Sequence, residues 1–458
     1  METLDIGLLL IDLAGIIVLA RLFGGLARRL GQPPVIGEIL AGVLLGPTLI
    51  VLLTPGGREA GRQAYAAFSG TFFPPTVKFG LTALAAVGLV LFMFIVGYEL
   101  DQSLVRGKER VAASVSVGSI LVPFTLGAGL AVWLAGRHPD VGETLPFALF
   151  LGAAMSVTAF PVLARILTDR GMHRTRVGGL ALAAAAVDDV LAWSLLAVVV
   201  TVAGGGAGGG HDQWHLFFAL PYILVMFLAV RPLLRRLVTL HARAGRLTPG
   251  LLAVVLVGLL LSSYATEWLG VHYIFGAFIF GVVMPREGAE ALRVEILERL
   301  EQVSVLLLLP VFFVVAGLRV DLSGLGLSGL VELVLILAVA IVGKFAGAWA
   351  GARLQRVRSR EAAVLATLMN TRGLTEIVIL TVGLEIGVLD DDLFSLMVVM
   401  ALVTTAMAGP LLHVVYPRRH IERDIAEAER AALGITEAYR VAVVVDDPAS
   451  QAGRVDLG

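Results

Sequence analysis

Long apolar stretches separated by short polar ones run along almost the whole chain. Windows long enough to cross a bilayer as helices fall at about 5–27, 34–53, 77–98, 110–135, 144–168, 177–203, 214–240, 248–268, 271–285, 303–319, 327–352, 361–388 and 391–416. The pattern predicts about thirteen transmembrane helices and an all-α chain, with 271–285 short for a straight span. The opening METLDIGLLLIDLAGIIVLARL has neither a basic leader nor a small-residue cleavage site, and it reads as a retained first span. GGGAGGG at 204–210 reads as a flexible loop. In the polar tail, 417–458, YRVAVVVDDP at 439–448 reads as one strand, with no glycine-rich turn of a dinucleotide-binding domain.

Composition agrees with the periodicity. Of 458 residues 58% are hydrophobic and 16% charged, with mean hydropathy +0.90, whereas soluble domains are about 45–50% apolar and about 25% charged. The net charge of −1 gives no basic surface for nucleic acid, and the absence of Cys excludes disulfides, thiolate metal sites and thiol switches. Basic residues crowd one set of alternating loops, for example Arg28 and Arg29, Arg106 to Arg110, Arg170 to Arg176, Arg231 to Arg246 and Arg353 to Arg360. The other set holds Arg58, Arg62, Lys78, Arg137 and Arg319 beside the acidic run Asp390 to Asp392. This bias predicts an outside N-terminus and a cytoplasmic C-terminus.

The chain also repeats itself. GEILAGV at 37–43 matches GAFIFGV at 276–282, and GYELD at 97–101 matches GLRVD at 317–321. These lie in the second and ninth windows, then the third and tenth. A shift of seven spans reverses direction through the bilayer, so the halves read as inverted repeats, a transporter signature with the substrate site near the midplane.

Two adjacent carboxylates, Asp188 and Asp189, sit near the centre of the apolar run 177–203. A charge at mid-helix costs roughly 2.5–3.5 kcal/mol on insertion scales and marks ion or proton routes. Neighbouring helical side chains point about 100° apart, so the two cannot face one partner. One is expected to meet a cation and the other to line the route. Lys344, the lone charge inside the eleventh window, lies at comparable depth and must pair or deprotonate. In the fifth window Ser156, Thr158 and Pro161 predict a broken helix. In its repeat mate, the twelfth, Asn370, Thr371, Gly373 and Thr375 cluster likewise, with Arg372 and Glu376 placed to neutralise helix-end dipoles. Glu99 and Arg319 fall near helix ends, where snorkelling suits them. His272 and His413 read as packed, and no His has metal-ligand spacing.

Six ordered stretches resemble the monovalent cation:proton antiporter-2 family: VIGEILAGVLLGP (35–47), SVTAFPVLARILTDRG (156–171), AAAAVDDVLAW (183–193), FFVVAGLRVDL (312–322), VGKFAGAWAGARL (342–354) and MNTRGLTEIVIL (369–380). The resemblance implies an NhaA-like inverted-repeat antiporter fold with two crossed broken helices. It further implies a homodimer, with a dimerisation part at about 1–98 and 248–319 and a mobile core at about 105–203 and 327–416. By the same resemblance Asp189 carries the monovalent cation or the proton, Asp188 pairs with Lys344, and Thr158 and Ser156 line the site. An acidic residue at 188 suits electrogenic sodium exchange, whereas the potassium-efflux branch tends to carry Gln there.

The expectation is therefore a secondary antiporter of a bacterial cell membrane, not an enzyme and without cofactor, exchanging Na⁺ or Li⁺, with K⁺ possible, for protons. The alternatives are an electroneutral K⁺/H⁺ antiporter or an anion or drug carrier on the same fold. An intramembrane aspartyl protease is excluded, because it needs two carboxylates facing each other from different helices.

Overall fold

The computed structural model describes residues 5–99, 108–172, 175–204, 219–269, 272–417, 419–423, 441–444 and 454–457. The loop expected at 204–210 lies, beyond Gly204, outside the described residues. The apolar windows fall on helices or on successive helical segments, the one at 214–240 being described from Ala219 onward. Counted as single helices long and apolar enough to cross a membrane, the described residues hold eight, or nine with the pair Pro34–Leu45 and Pro47–Leu53, which bends by 50°. The remaining windows are short, like Tyr273–Val283, or interrupted, like Thr144–Ser156 with Phe160–Asp169 and Ser359–Met369 with Leu374–Glu385. In the tail, Val441–Val444 forms a strand and pairs antiparallel with Arg454–Leu457.

Helix ends follow local chemistry. Asp5 caps Ile6–Arg29 by accepting from the Leu8 amide at 3.0 Å, and Asp390 caps Asp391–Val415 by accepting from the Leu393 amide at 2.7 Å. Gly245, at φ 67°, ends Arg231–Ala244 in the left-handed conformation. Among the described residues two helices have no counterpart among the apolar windows, Gly57–Phe72 and Glu290–Val303. Gly57–Phe72 is an amphipathic helix that buries Gly61 and Ser69 and leaves Arg58 and Arg62 exposed.

The repeat is visible as a matched pair of helix crossings. A Cβ added to Gly42 would come within 2.5 Å of the Val314 carbonyl, and one on Gly317 within 2.7 Å of the Ile39 carbonyl. In the matching crossing, a Cβ on Gly281 would meet the Phe94 carbonyl at 2.3 Å and one on Gly97 the Phe278 carbonyl at 2.2 Å. Gly42, Ile39, Val314 and Gly317 thus play the parts of Gly281, Phe278, Phe94 and Gly97. Each crossing brings backbones so close that only glycine fits, which is how helices gain contact where lipid supplies no hydrophobic drive. These crossings join Pro34–Leu45 to Leu309–Leu318 and Tyr273–Val283 to Pro75–Glu99. A second group of helices surrounds the interrupted ones: Glu109–Ala135 packs along Leu327–Leu354, and Thr144–Ser156 and Arg176–Gly204 pack on the former.

At one end of this second group, His138 ties three elements together. Its Nδ1 lies 2.7 Å from Asp390 Oδ2 and its Nε2 3.2 Å from Glu332 Oε2, while Arg137 Nε donates to Glu332 Oε1 at 3.0 Å.

Candidate functional site

The interruptions cross each other. The first leaves residues 157–159 extended between Ser156 and Phe160, with Pro161 in the first turn of the second half, where its missing N–H costs nothing. The second leaves 370–373 unwound, with Gly373 capping Leu374–Glu385. A Cβ on Gly373 would approach Val162 Cγ2 to 2.6 Å, so glycine permits the close crossing. The Ala159 amide donates to the Thr371 carbonyl at 3.0 Å, and the Thr158 hydroxyl lies 2.9 Å from the Met369 carbonyl. Each break thereby satisfies part of the backbone freed in the other, as the bilayer interior demands.

Arg372 closes the crossing. Its guanidinium donates to the Ala154 carbonyl at 2.9 Å and to the Met155 carbonyl, two of the last acceptors of Thr144–Ser156, and to Glu376 Oε2 at 3.0 Å. The cation thus sits at the negative end of one half-helix, and Glu376 occupies the first turn of another, each where the helix dipole favours it. Both side chains are fully buried. Thr371 is spent locally, its hydroxyl donating to the Leu368 carbonyl at 2.8 Å.

Asp188 lies beside the first break and is held from several sides. Lys344 Nζ is 3.1 Å from its Oδ2, Thr158 Oγ1 donates to the same oxygen at 2.6 Å, Ser116 Oγ donates to Oδ1 at 2.6 Å, and Ser119 Oγ lies 3.0 Å from both oxygens. Lys344 also donates to the Ser156 carbonyl. Ser156 therefore offers its backbone here, since its hydroxyl turns back to the Ala153 carbonyl at 2.8 Å. Asp188, Lys344, Thr158, Ser116 and Ser119 are all fully buried, and charge-assisted bonds of this kind are the strong ones.

Asp189 differs in every respect but burial. It is fully buried, yet neither carboxylate oxygen has a hydrogen-bond partner among the described residues. The Phe160 backbone amide, just past the first break, faces it. Asn370, 1% exposed in the second break, likewise has no partner for either amide atom. Among the described residues no group of three or more His, Asp or Glu side chains is placed to hold a resident metal ion.

The sequence alone does not single out Ser116 and Ser119. A usable signal exists: two hydroxyls three residues apart share one face of an otherwise apolar helix, although single serines are common in membrane helices.

Comparison with known proteins gives the family. The family described as "Sodium/hydrogen exchanger, transmembrane" matches residues 16–416. The chain belongs to the sodium/hydrogen exchanger family. It is 40% identical to the Na⁺/H⁺ antiporter NhaS4 of Synechocystis over 427 residues, covering 90% of this chain and 99% of that one. It is 34% identical to cation/H⁺ antiporter 20 of Arabidopsis thaliana, covering 98% of this chain and 53% of the plant protein, and so spans about half of that relative's length. The solved structure of the sodium proton antiporter MjNhaP1 from Methanocaldococcus jannaschii shares its fold, with a TM-score of 0.61 at 16% identity, over 91% of this chain and 98% of that one. The exchanger is an integral membrane cation/proton antiporter and not an enzyme.

Proposed function

We propose that the exchanger trades Na⁺ or Li⁺ for protons electrogenically, with Asp189 as the carrier. The observation that supports this reading is the unpartnered, buried Asp189 carboxylate beside an Asp188 that is already neutralised. A buried carboxylate without a partner is unstable as a bare anion, so it takes up either a proton or a monovalent cation, and one carboxylate serves only one at a time. That exclusivity is the coupling. Asp188, Lys344, Thr158 and the Ser156 carbonyl form the fixed wall beside it, and the freed carbonyls and hydroxyls of the crossed breaks replace part of a cation's water. If the Asp188–Lys344 pair opens during the cycle, Lys344 releases a second proton, which makes the exchange carry net charge.

Access alternates as the core, at about 105–203 and 327–416, moves against the part at about 1–98 and 248–319. That latter part pairs with a second copy, presenting faces such as that of Ile6–Arg29, which exposes Ile6, Leu10, Ile11, Val18 and Leu22. The loop charges favour an outside N-terminus, in a bacterial cell membrane.

The test is proton flux in proteoliposomes on adding Na⁺, Li⁺ or K⁺, with and without a potassium–ionophore clamp. Flux driven by Na⁺ or Li⁺ that grows when a membrane potential is imposed supports the reading. Flux driven by K⁺ alone and indifferent to the potential replaces it with electroneutral potassium exchange.

A further inference from the structure

Successive spans alternate in direction, which puts Gly204, His272 and Glu385 at one end of the molecule, the outer end in the orientation proposed above. Two contacts at that end join the core to the part it slides against. The first is aromatic. Trp193, 2% exposed on Arg176–Gly204, packs edge-on against Phe275 at 6.2 Å and tilted against Phe278 at 6.3 Å, both on Tyr273–Val283. Trp193 is one turn beyond Asp189 on the same helix face, about 6 Å along the axis. The aromatic layer therefore lies between Asp189 and the outer end. The Trp193 indole N–H has no acceptor among the described residues, so ring packing alone holds the contact.

The second contact is polar and lies further out. His272 caps Tyr273–Val283, its Nδ1 accepting from the Ile274 amide at 3.5 Å, which leaves the proton on Nε2. Nε2 is 3.3 Å from Oε2 of Glu385, the last residue of Leu374–Glu385 in the core. A cavity of about 40 Å³ opens beside this pair, lined among others by Thr82, Tyr273, Arg319 and Thr381.

We propose that His272–Glu385 and the Trp193–Phe275–Phe278 layer are the outer gate of the exchanger, two successive closures that part when Asp189 exchanges ions with the outside. This rests on the reading of Asp189 as the carrier. The two layers divide the work. The indole and the two phenylalanine rings exclude water and ions from the carboxylate. The His–Glu pair, with Glu385 37% exposed, is weak enough to break in every cycle. Both contacts link elements that alternating access must displace relative to each other.

The chain has no cysteine, which makes the test clean. His272→Cys with Glu385→Cys is joined by a short thiol-cleavable bis-maleimide in proteoliposomes. Before joining, the double variant exchanges at a rate within a few-fold of the native chain. After joining, exchange falls at least tenfold and cleavage restores it. Full exchange by the joined protein overturns the gate and leaves the assignment of Asp189 standing. No exchange by the native chain strikes that assignment instead, and exchange by the native chain but not by the unjoined variant overturns the pair as a contact that only opens and closes. The aromatic layer has its own readout. Ala186→Cys lies inward of Trp193 on the same face and is 5% exposed. A membrane-impermeant maleimide added outside labels it several-fold faster when Trp193→Ala is also present, whereas Trp193→Phe leaves labelling slow. Equal labelling in all three backgrounds overturns the aromatic part.

Discussion

Lys344 Nζ lies 3.1 Å from Asp188 Oδ2, while Asp189, the next residue in the chain, receives no hydrogen bond from any described side chain. One helical step of about 100° separates a carboxylate wrapped in donors from one that only a backbone amide faces. Two chemically identical side chains thus have different surroundings, and they respond differently when those surroundings are changed.

Removing Lys344 leaves Asp188 buried and uncompensated. Lys344→Met lowers stability by about 3–5 kcal/mol, the range for breaking a buried pair from one side. Adding Asp188→Asn to Lys344→Met returns most of it, since an amide tolerates burial among hydroxyls better than a lone charge. Thermal unfolding in detergent of the two single variants and the double variant checks this. An additive double variant contradicts it.

Ser116 and Ser119 support Asp188 and not Asp189. Each Ser→Ala change costs about 1.5–3 kcal/mol, as expected for a hydrogen bond to a charged group. Once Asp188 is Asn each change costs less, about 0.5–1.5 kcal/mol, because the amide oxygen still accepts but carries no charge. The same melting assay reads this, and a full penalty on the Asp188→Asn background rules it out.

Arg372 bridges two carbonyls of one half-helix and a carboxylate of another. Lys offers a point charge without the planar fork, so Arg372→Lys holds at most part of that geometry and lowers the melting temperature. Glu376→Gln destabilises less, because the carbonyl contacts of Arg372 survive. Equal melting of Arg372→Lys and the native chain contradicts the bridging role.

His138 and Asp390 lie outside the spans, with Glu332 in the first turns of Leu327–Leu354, and they make stability depend on pH. The bond to Asp390 raises the His138 pKa above its ordinary 6.5, against the opposing effect of burial, with Glu332 adding to the rise. Burial pushes Asp390 up, but the bonds from His138 and the Leu393 amide outweigh it and hold its pKa below 3.8. Arg137, on Glu332, and the nearby Asp392 complete the charged surroundings. A raised His contributes fully below its unfolded value and loses the contribution as pH climbs through its folded value. A lowered Asp contributes above its unfolded value and loses it in acid. The cluster is therefore worth most between about pH 4 and 6.5. Melting temperature falls as pH rises above that window, and His138→Gln flattens the fall. An unchanged pH profile in His138→Gln would show that the cluster has no such effect.

Much of this is written in the sequence because the bilayer leaves few options. Apolar windows, paired interruptions around Thr158 and Thr371, and the matched glycines at 42 and 281 all report backbone constraints, and periodicity and composition carry those directly. Side-chain direction does not show in one dimension. By resemblance Ser156 is expected to line the site, but which of its groups faces inward cannot be read off the sequence: its hydroxyl turns to the Ala153 carbonyl and its own carbonyl meets Lys344. Ser116 and Ser119 become visible only when their helix is set beside Asp188. The helix Gly57–Phe72 escapes because its alternation of small and polar residues falls below any apolar threshold. Among the described residues only eight helices, or nine counting one bent pair, are long enough to cross, since other windows are short or interrupted.

The measurement that bears most directly on the carrier role is cation-driven proton flux by Asp189→Asn, purified and shown to melt near the native chain. Asn keeps the size and polarity of the side chain but cannot take up a proton or bind a cation as a carboxylate does. If Asp189 is the carrier, flux stays at the level of empty liposomes for Na⁺, Li⁺ and K⁺ alike. Exchange by Asp189→Asn within a few-fold of the native rate would show that the ion is carried elsewhere.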